Sequence, residues 1–132
     1  MDFVSIRIIT GDITRLVDFY ERATGVRADW STEDFAELRT AGGTLAIGST
    51  RTVALFAPGC ARPADNSTVI IEFLVSDVDE VYRNLADPGV DLVTGPTTMP
   101  WGNRSLLFRD PDGNLVNFFT PVTPAAIAKF AR

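Results

Sequence analysis

The chain of 132 residues contains no histidine. Imidazole is the commonest general base and the commonest metal ligand of proteins. Its absence rules out Ser-His and Cys-His nucleophiles and every zinc site built on His. Cysteine occurs once, at Cys60, so no disulfide forms within the chain and a cytoplasmic location is expected. Cys60 sits in a Pro-containing stretch with no basic cluster to activate it, and it reads as incidental. No apolar run approaches the ~20 residues that cross a bilayer. The N-terminus lacks the basic-then-apolar pattern of a signal peptide, so no membrane partner is expected. Basic residues number 12 against 17 acidic ones, a net charge of −5, and they do not cluster. A nucleic-acid surface is therefore not expected, whereas a cationic ligand is compatible with the balance.

What is present is ordered by period. Residues 3–9 alternate, with Val4, Ile6 and Ile8 on one side and Ser5 and Arg7 on the other, as in a strand. Asp12 is a helix N-cap, apolar residues then recur at helical spacing from Ile13 to Ala23, and Gly25 ends the helix. Strands are predicted at 28–31, 35–39, 44–47 and 52–57, followed by a linker at 58–67. The second half repeats this order. A strand at 68–75 precedes a helix capped by Asp77, running through about Leu85 and ended by Gly89. Strands follow at 90–94, 104–109 and 114–120. Thr123 and Pro124 open a short C-terminal helix.

The halves match in detail. Asp12 and Asp77 are 65 residues apart, Gly25 and Gly89 are 64 apart, and Val53–Phe56 precedes Val116–Phe119 by 63. Such agreement across cap, turn and strand indicates an internal duplication. The fold class is α+β: tandem βαβββ modules at about 3–57 and 68–121 of one domain spanning 1–132. They are expected to form a cup-shaped mixed sheet with helices on its convex face.

Helices on one face leave the other for a cavity, a partner or solvent. That open face is expected to carry Ser5 and Arg7 from the first strand. Ile70, Glu72 and Leu74 follow from the fifth, with Leu115, Asn117 and Phe119 from the last. If the turn at 110–113 pairs Arg109 with Asn114, Leu106 sits opposite Asn117, and Arg104, Leu106 and Phe108 join the face. By the repeat, Ala54 and Phe56 join as well. An apolar lining with a few convergent polar groups is the chemistry of a small-molecule site. Trp101 and Trp30 either stack on a planar ligand or serve as a loop anchor and a strand or dimer contact. Arg7 and Glu72 either pair with each other or meet a charged group of a ligand. Asp110 to Gly113 is turn chemistry at a hairpin tip expected to face solvent.

The stretches "DITRLVDFY", "VSDVDEVYRNL" and "PWGNRSLLFRDPDGNLVNFF", placed in tandem βαβββ units, resemble the vicinal oxygen chelate superfamily over residues 3–121. Its members include glyoxalase I, extradiol dioxygenases, fosfomycin-resistance enzymes and bleomycin-resistance proteins. The resemblance implies metal ligands at four positions that fall here on Ser5, Ala54, Ile70 and Asn117, none of them a usual ligand of those metals. It thus implies the metal-free, bleomycin-resistance-like branch: a binding protein with no cofactor, acting as a homodimer on a small aromatic or cationic molecule such as an antibiotic. The alternatives are a cofactor-free isomerase or lyase with Glu72 as base, and a dimerisation or regulatory module without a ligand. The expected ligand-binding set is Ser5, Arg7, Trp30, Phe56, Ile70, Glu72, Trp101, Arg104, Leu106, Phe108 and Asn117.

Overall fold

A computed structural model describes residues 1–85 and 89–131. The chain divides into two compact units, Met1–Asn66 with Pro111–Gly113, and Ser67–Asp110 with Asn114–Arg132. Among the described residues no helix is long and apolar enough to cross a membrane.

The first unit runs β1 (Ser5–Thr10), α1 (Ile13–Thr24), β2 (Asp29–Thr32), β3 (Phe35–Arg39), β4 (Thr44–Ser49) and α2 (Thr50–Val53). Its four strands form one sheet in the order β1-β4-β3-β2, with β1 parallel to β4 and the other pairs antiparallel. Asp12 caps α1 by accepting from the Arg15 N–H, and Gly25 ends it in the left-handed conformation, as the sequence predicts. Ile13, Leu16, Val17, Phe19, Tyr20 and Ala23 are buried on this helix. They meet the sheet face that carries Ala36, Leu38, Leu45 and Ile47, all buried. Burial of each of the larger aliphatic and Phe side chains among them contributes on the order of 1.5–3 kcal/mol.

The predicted strand at 52–57 is not a strand. Ser49 caps the single helical turn α2, accepting from the Arg51 N–H, and residues 54–56 continue as a turn. Four residues offer no period to read, and the β-branched Thr52 and Val53 bias the eye toward extended chain. The last strand of this unit is β4, which ends at Ser49, five positions before Ala54.

The second unit runs β5 (Ile70–Leu74), α3 (Val78–Leu85), β6 (Asp91–Thr98), β7 (Asn103–Arg109), β8 (Leu115–Pro121) and α4 (Pro124–Phe130). The sheet order β5-β8-β7-β6 repeats that of the first unit, with β5 parallel to β8. Asp77 caps α3, accepting from the N–H groups of Asp79 and Glu80. The predicted passage from α3 to Gly89 runs through residues 86–88, outside the described residues. Ile71, Leu106, Phe108, Val116 and Phe118 are buried on the face that α3 covers. The Phe118 ring meets those of Phe73 and Phe108 edge-on, each at 5.2 Å.

The topology corrects the internal alignment. Arg7 pairs with Ala46 as Glu72 pairs with Asn117. Ala46 is therefore the counterpart of Asn117, at an offset of 71 residues, and Ala54 is not. Each unit also closes on a short helix laid against the open face of its own sheet. Thr52 of α2 lies where a side chain on Gly48 would be, and Phe130 of α4 packs on Phe119 at 5.2 Å.

Candidate functional site

The last hairpin decides which side chains share a face. Its register pairs Leu107 with Asn117, Leu106 with Phe118 and Phe108 with Val116. This differs by one residue from the register expected for a four-residue turn. The Asp110 N–H donates to the Asn114 carbonyl at 2.9 Å, and Gly113 has φ +83°, so the loop holds three residues and its last adopts the left-handed form. The Asp110 carboxylate fixes this geometry, accepting from the Asn114 N–H (2.9 Å) and the Asn114 amide (2.8 Å). A one-residue slip exchanges every side chain between faces. Arg104, Leu106 and Phe108 consequently lie on the α3 face, not the open face. Leu106 and Phe108 are core, and Arg104 grips Asp79 of α3 at 3.0 Å. That pairing, chiefly its hydrogen bond, holds the Asp79 carboxyl below its ordinary value of 3.8. The hairpin tip is not solvent-facing throughout either: within the first unit Arg15 meets Asp112 at 3.0 Å, and the Asp112 side chain is 4% exposed.

On the open face of the second sheet Glu72 and Asn117 sit side by side on β5 and β8, flanked by Ile70, Leu74, Leu107 and Leu115. The Asn117 amide N–H donates to Glu72 Oε2 at 2.8 Å. A carboxylate offers no donor, so the amide nitrogen must face it and the amide oxygen must point away. That oxygen, Asn117 Oδ1, is buried and has no hydrogen-bond partner. An unmet buried acceptor costs about 1–3 kcal/mol. Ile70 is exposed on the same face. Trp101 occupies the tip of the β6–β7 turn, closed by Met99 N–H to Asn103 C=O (2.7 Å) and Gly102 N–H to Met99 C=O (2.9 Å), and is 68% exposed.

On the open face of the first sheet Arg7 stands between Ser5 and Ile9 along β1, with Ala46 and Gly48 on the neighbouring strand. Its guanidinium lies over the Phe35 ring (4.5 Å to the centroid) and the Phe56 ring (5.1 Å). Phe35 comes from β3, on the same face. Phe56 comes from the turn after α2, held by Phe56 N–H to Val53 C=O at 3.0 Å. Such contacts contribute about 0.5–1 kcal/mol each at an exposed site. Arg7 and Glu72 thus each have partners within their own unit. Trp30 pairs with Ala36 and therefore lies on the α1 face of β2, away from the open face. Reading the sequence missed Leu107 and Ala46. The Pro-Asp-Gly turn signal holds the clue to Leu107, because a three-residue loop ending in glycine sets that register.

The donor set at the aligned positions does not suit a divalent metal. Ser5, Ala46 and Ile70 offer at most a hydroxyl, Glu72 stands beside an amide, and Glu37 on the first sheet's open face is met by Arg39 at 3.2 Å. Among the described residues no group of three or more His, Cys, Asp or Glu side chains stands close enough to hold a metal ion.

Comparison with known proteins places this geometry in a family. Protein YraH of Bacillus subtilis (strain 168) is 26% identical over 125 residues, 90% of this chain and 98% of its own length. A glyoxalase/bleomycin resistance protein/dioxygenase family enzyme from Burkholderia phytofirmans superposes with a TM-score of 0.81 at 18% identity, covering 92% of this chain and 100% of its own. A glyoxalase/bleomycin resistance protein/dioxygenase from Nocardioides does so with a TM-score of 0.74 at 22% identity, over 94% and 85% of the two chains. At these identities the structural likeness concerns the fold alone. The model of the Glyoxalase/Bleomycin resistance protein/Dioxygenase superfamily matches residues 2–118, and the chain belongs to that superfamily.

Proposed function

We propose that this chain binds a small organic molecule without a metal and acts by sequestering it, as an antibiotic-binding protein would. The observation that carries the reading is Asn117. A buried amide oxygen with no partner, beside the Glu72 carboxylate and among aliphatic side chains, offers two acceptors to an N–H donor of a ligand. An amine, amidine or similar group on an apolar or aromatic body matches that set, and the ligand's donor removes the cost of the unmet oxygen. Ile70, Leu74, Leu107 and Leu115 supply the apolar contact, with Trp101 as a stacking surface at the hairpin tip. The lack of imidazole and the single carboxylate support binding without a metal. The reading includes a homodimer, supported by the exposed apolar side chains of the sheet-edge strands, Ile6 on β1 and Ile70 and Leu74 on β5.

Two measurements test it. Elemental analysis of protein purified without chelator is expected to find no stoichiometric Mn, Fe, Ni or Zn; one bound equivalent would overturn the metal-free reading. Tryptophan fluorescence titrated with benzamidine, tryptamine and larger aromatic amines is expected to change saturably with at least one. A flat response to all of them, with a monomer by light scattering, would remove both parts of the proposal.

A further inference from the structure

We infer that the open face of the second sheet continues beneath α4, and that α4 is a displaceable cover over a second acceptor, Asn103, so that the site takes an elongated molecule with an N–H donor at each end. The inference rests on the amine-binding reading for the near end, at Asn117 and Glu72, and adds the far end. The unbroken register of β7 with β8 puts Asn103, Ser105 and Leu107 on the face that carries Asn117, opposite Pro121, Phe119 and Asn117 in turn. Asn103 thus lies two rows beyond Asn117 on that face, roughly 13 Å along the strands. Its Oδ1, like that of Asn117, is buried with no hydrogen-bond partner. Between the two acceptors lies the row of Phe119 and Ser105. Both are buried, and Phe130 of α4 packs on Phe119 at 5.2 Å.

The cover is weakly held. The seven residues of α4 fall well short of the ~12–15 at which a helix stands alone in water. Ala126 is buried and Phe130 half-buried, while the rest of the helix is exposed. No glycine closes its C-terminus, where Ala131 is extended. Its entry, by contrast, is fastened. The Val122 and Thr123 N–H groups both donate to the Gly102 carbonyl, at 2.9 and 3.3 Å, and a Cβ on Gly102 would collide with Thr123 and Ala126. A helix tied at its start and resting on one ring at its end can swing about Thr123. The closed arrangement also leaves Asn103 Oδ1 unmet, and a buried acceptor without a donor disfavours the state that buries it. Lifting Phe130 uncovers the Phe119 ring and the Ser105 hydroxyl, in line with Asn103. An apolar span then lies over that row in place of the Phe130 ring, and a second N–H donor meets Asn103 Oδ1. A far ammonium with no acceptor there would lose affinity to desolvation, so the two donor ends and the two amides belong together. The ligand class is a molecule with amine or amidine groups at both ends of an apolar span.

The test titrates the full chain with benzamidine, decylamine and decanediamine, the last carrying an amine at each end. Affinity is read by calorimetry, and the cover by hydrogen exchange of the α4 amides. Benzamidine is too short to reach beneath α4 and is expected to leave its exchange unchanged. Both long probes are expected to speed that exchange roughly threefold or more at saturation. The diamine is expected to bind roughly threefold or more tighter than decylamine, because its far end gains the Asn103 oxygen. Asn103→Leu is expected to abolish that advantage, with slow exchange of the β7 and β8 amides showing that the variant is folded. Phe130→Ala is expected to strengthen the long probes more than benzamidine, since the ring no longer competes for Phe119. A diamine no tighter than decylamine, an advantage that survives Asn103→Leu, or α4 exchange that neither long probe alters would each overturn this inference. Binding of benzamidine or decylamine in those cases leaves the amine-binding reading standing, whereas no binding by any of the three overturns both.

Discussion

Asn117 has two hydrogen-bonding ends and spends one of them. Its N–H serves Glu72, and its oxygen is buried without a partner. A residue kept for stability would be satisfied or replaced by an apolar one, as its neighbours Val116 and Phe118 are. Asn117→Leu is therefore expected to leave the urea unfolding free energy within about 1 kcal/mol of the parent, or above it, because an unmet acceptor is removed. The same change is expected to cost amine binding tenfold or more. Stability lost by several kcal/mol with binding intact would assign Asn117 to the fold instead. The importance of this side chain was legible in the sequence, since a lone amide in an apolar strand needs an explanation. Its hydrogen bond to Glu72 follows from the parallel pairing of β5 and β8, which spacing alone does not give.

At the scale of elements, the starts of α1, α3 and α4 and the end of α1 were legible because Asp12, Asp77, Thr123 and Gly25 carry local, mechanism-based signals. The hairpin register was not, because one extra residue in a turn reverses both strands. Substitution tests this directly. Leu106→Ala is expected to cost about 2–5 kcal/mol as a core truncation, while Leu107→Ala costs much less and acts on binding. Similar costs at the two positions would contradict the register. Turns test it as well. Gly113 and Gly102 both have positive φ, so alanine at either is strained, by roughly 1–2 kcal/mol. At Gly102 a Cβ would also collide with Thr123, the cap of α4, and with Ala126. Gly102→Ala is thus expected to lower the unfolding midpoint more than Gly113→Ala and to loosen α4, seen as faster amide exchange there. Equal effects would mean that α4 does not depend on this close approach.

At the scale of the whole molecule, the chain is one pattern written twice, with β-α-β-β-β and a short closing helix in each unit. The duplication was legible from caps and turns, but its last segment was mis-set. The offset grows from 65 at the caps to 71 at the final strands, as the β6–β7 hairpin is longer than β2–β3. Ion pairs tie a helix to the sheet or its turn in both units, Arg51 of α2 with Asp34 of the β2–β3 turn and Arg104 of β7 with Asp79 of α3, and each holds its carboxyl below 3.8. For Asp34 the hydrogen bond from Arg51 leads, followed by that from Ser49. A depressed folded-state value stabilises above the unfolded value and is lost as pH falls through the folded one. The stability deficit of Arg104→Gln relative to the parent is therefore expected in full at neutral pH and to shrink as pH drops below about 4. A deficit that stays constant to low pH would show that packing of the side-chain stem, rather than its charge, is responsible.

The most direct test of the central claim is calorimetric titration of an aromatic amine that passes the fluorescence screen, in buffer containing EDTA, into the parent and into Asn117→Leu. Binding to the parent is expected to be saturable in EDTA and to weaken tenfold or more in Asn117→Leu. A neutral isostere of that amine is expected not to bind either protein. Binding that appears only when a divalent metal replaces EDTA, or that is unchanged in Asn117→Leu, would contradict the account.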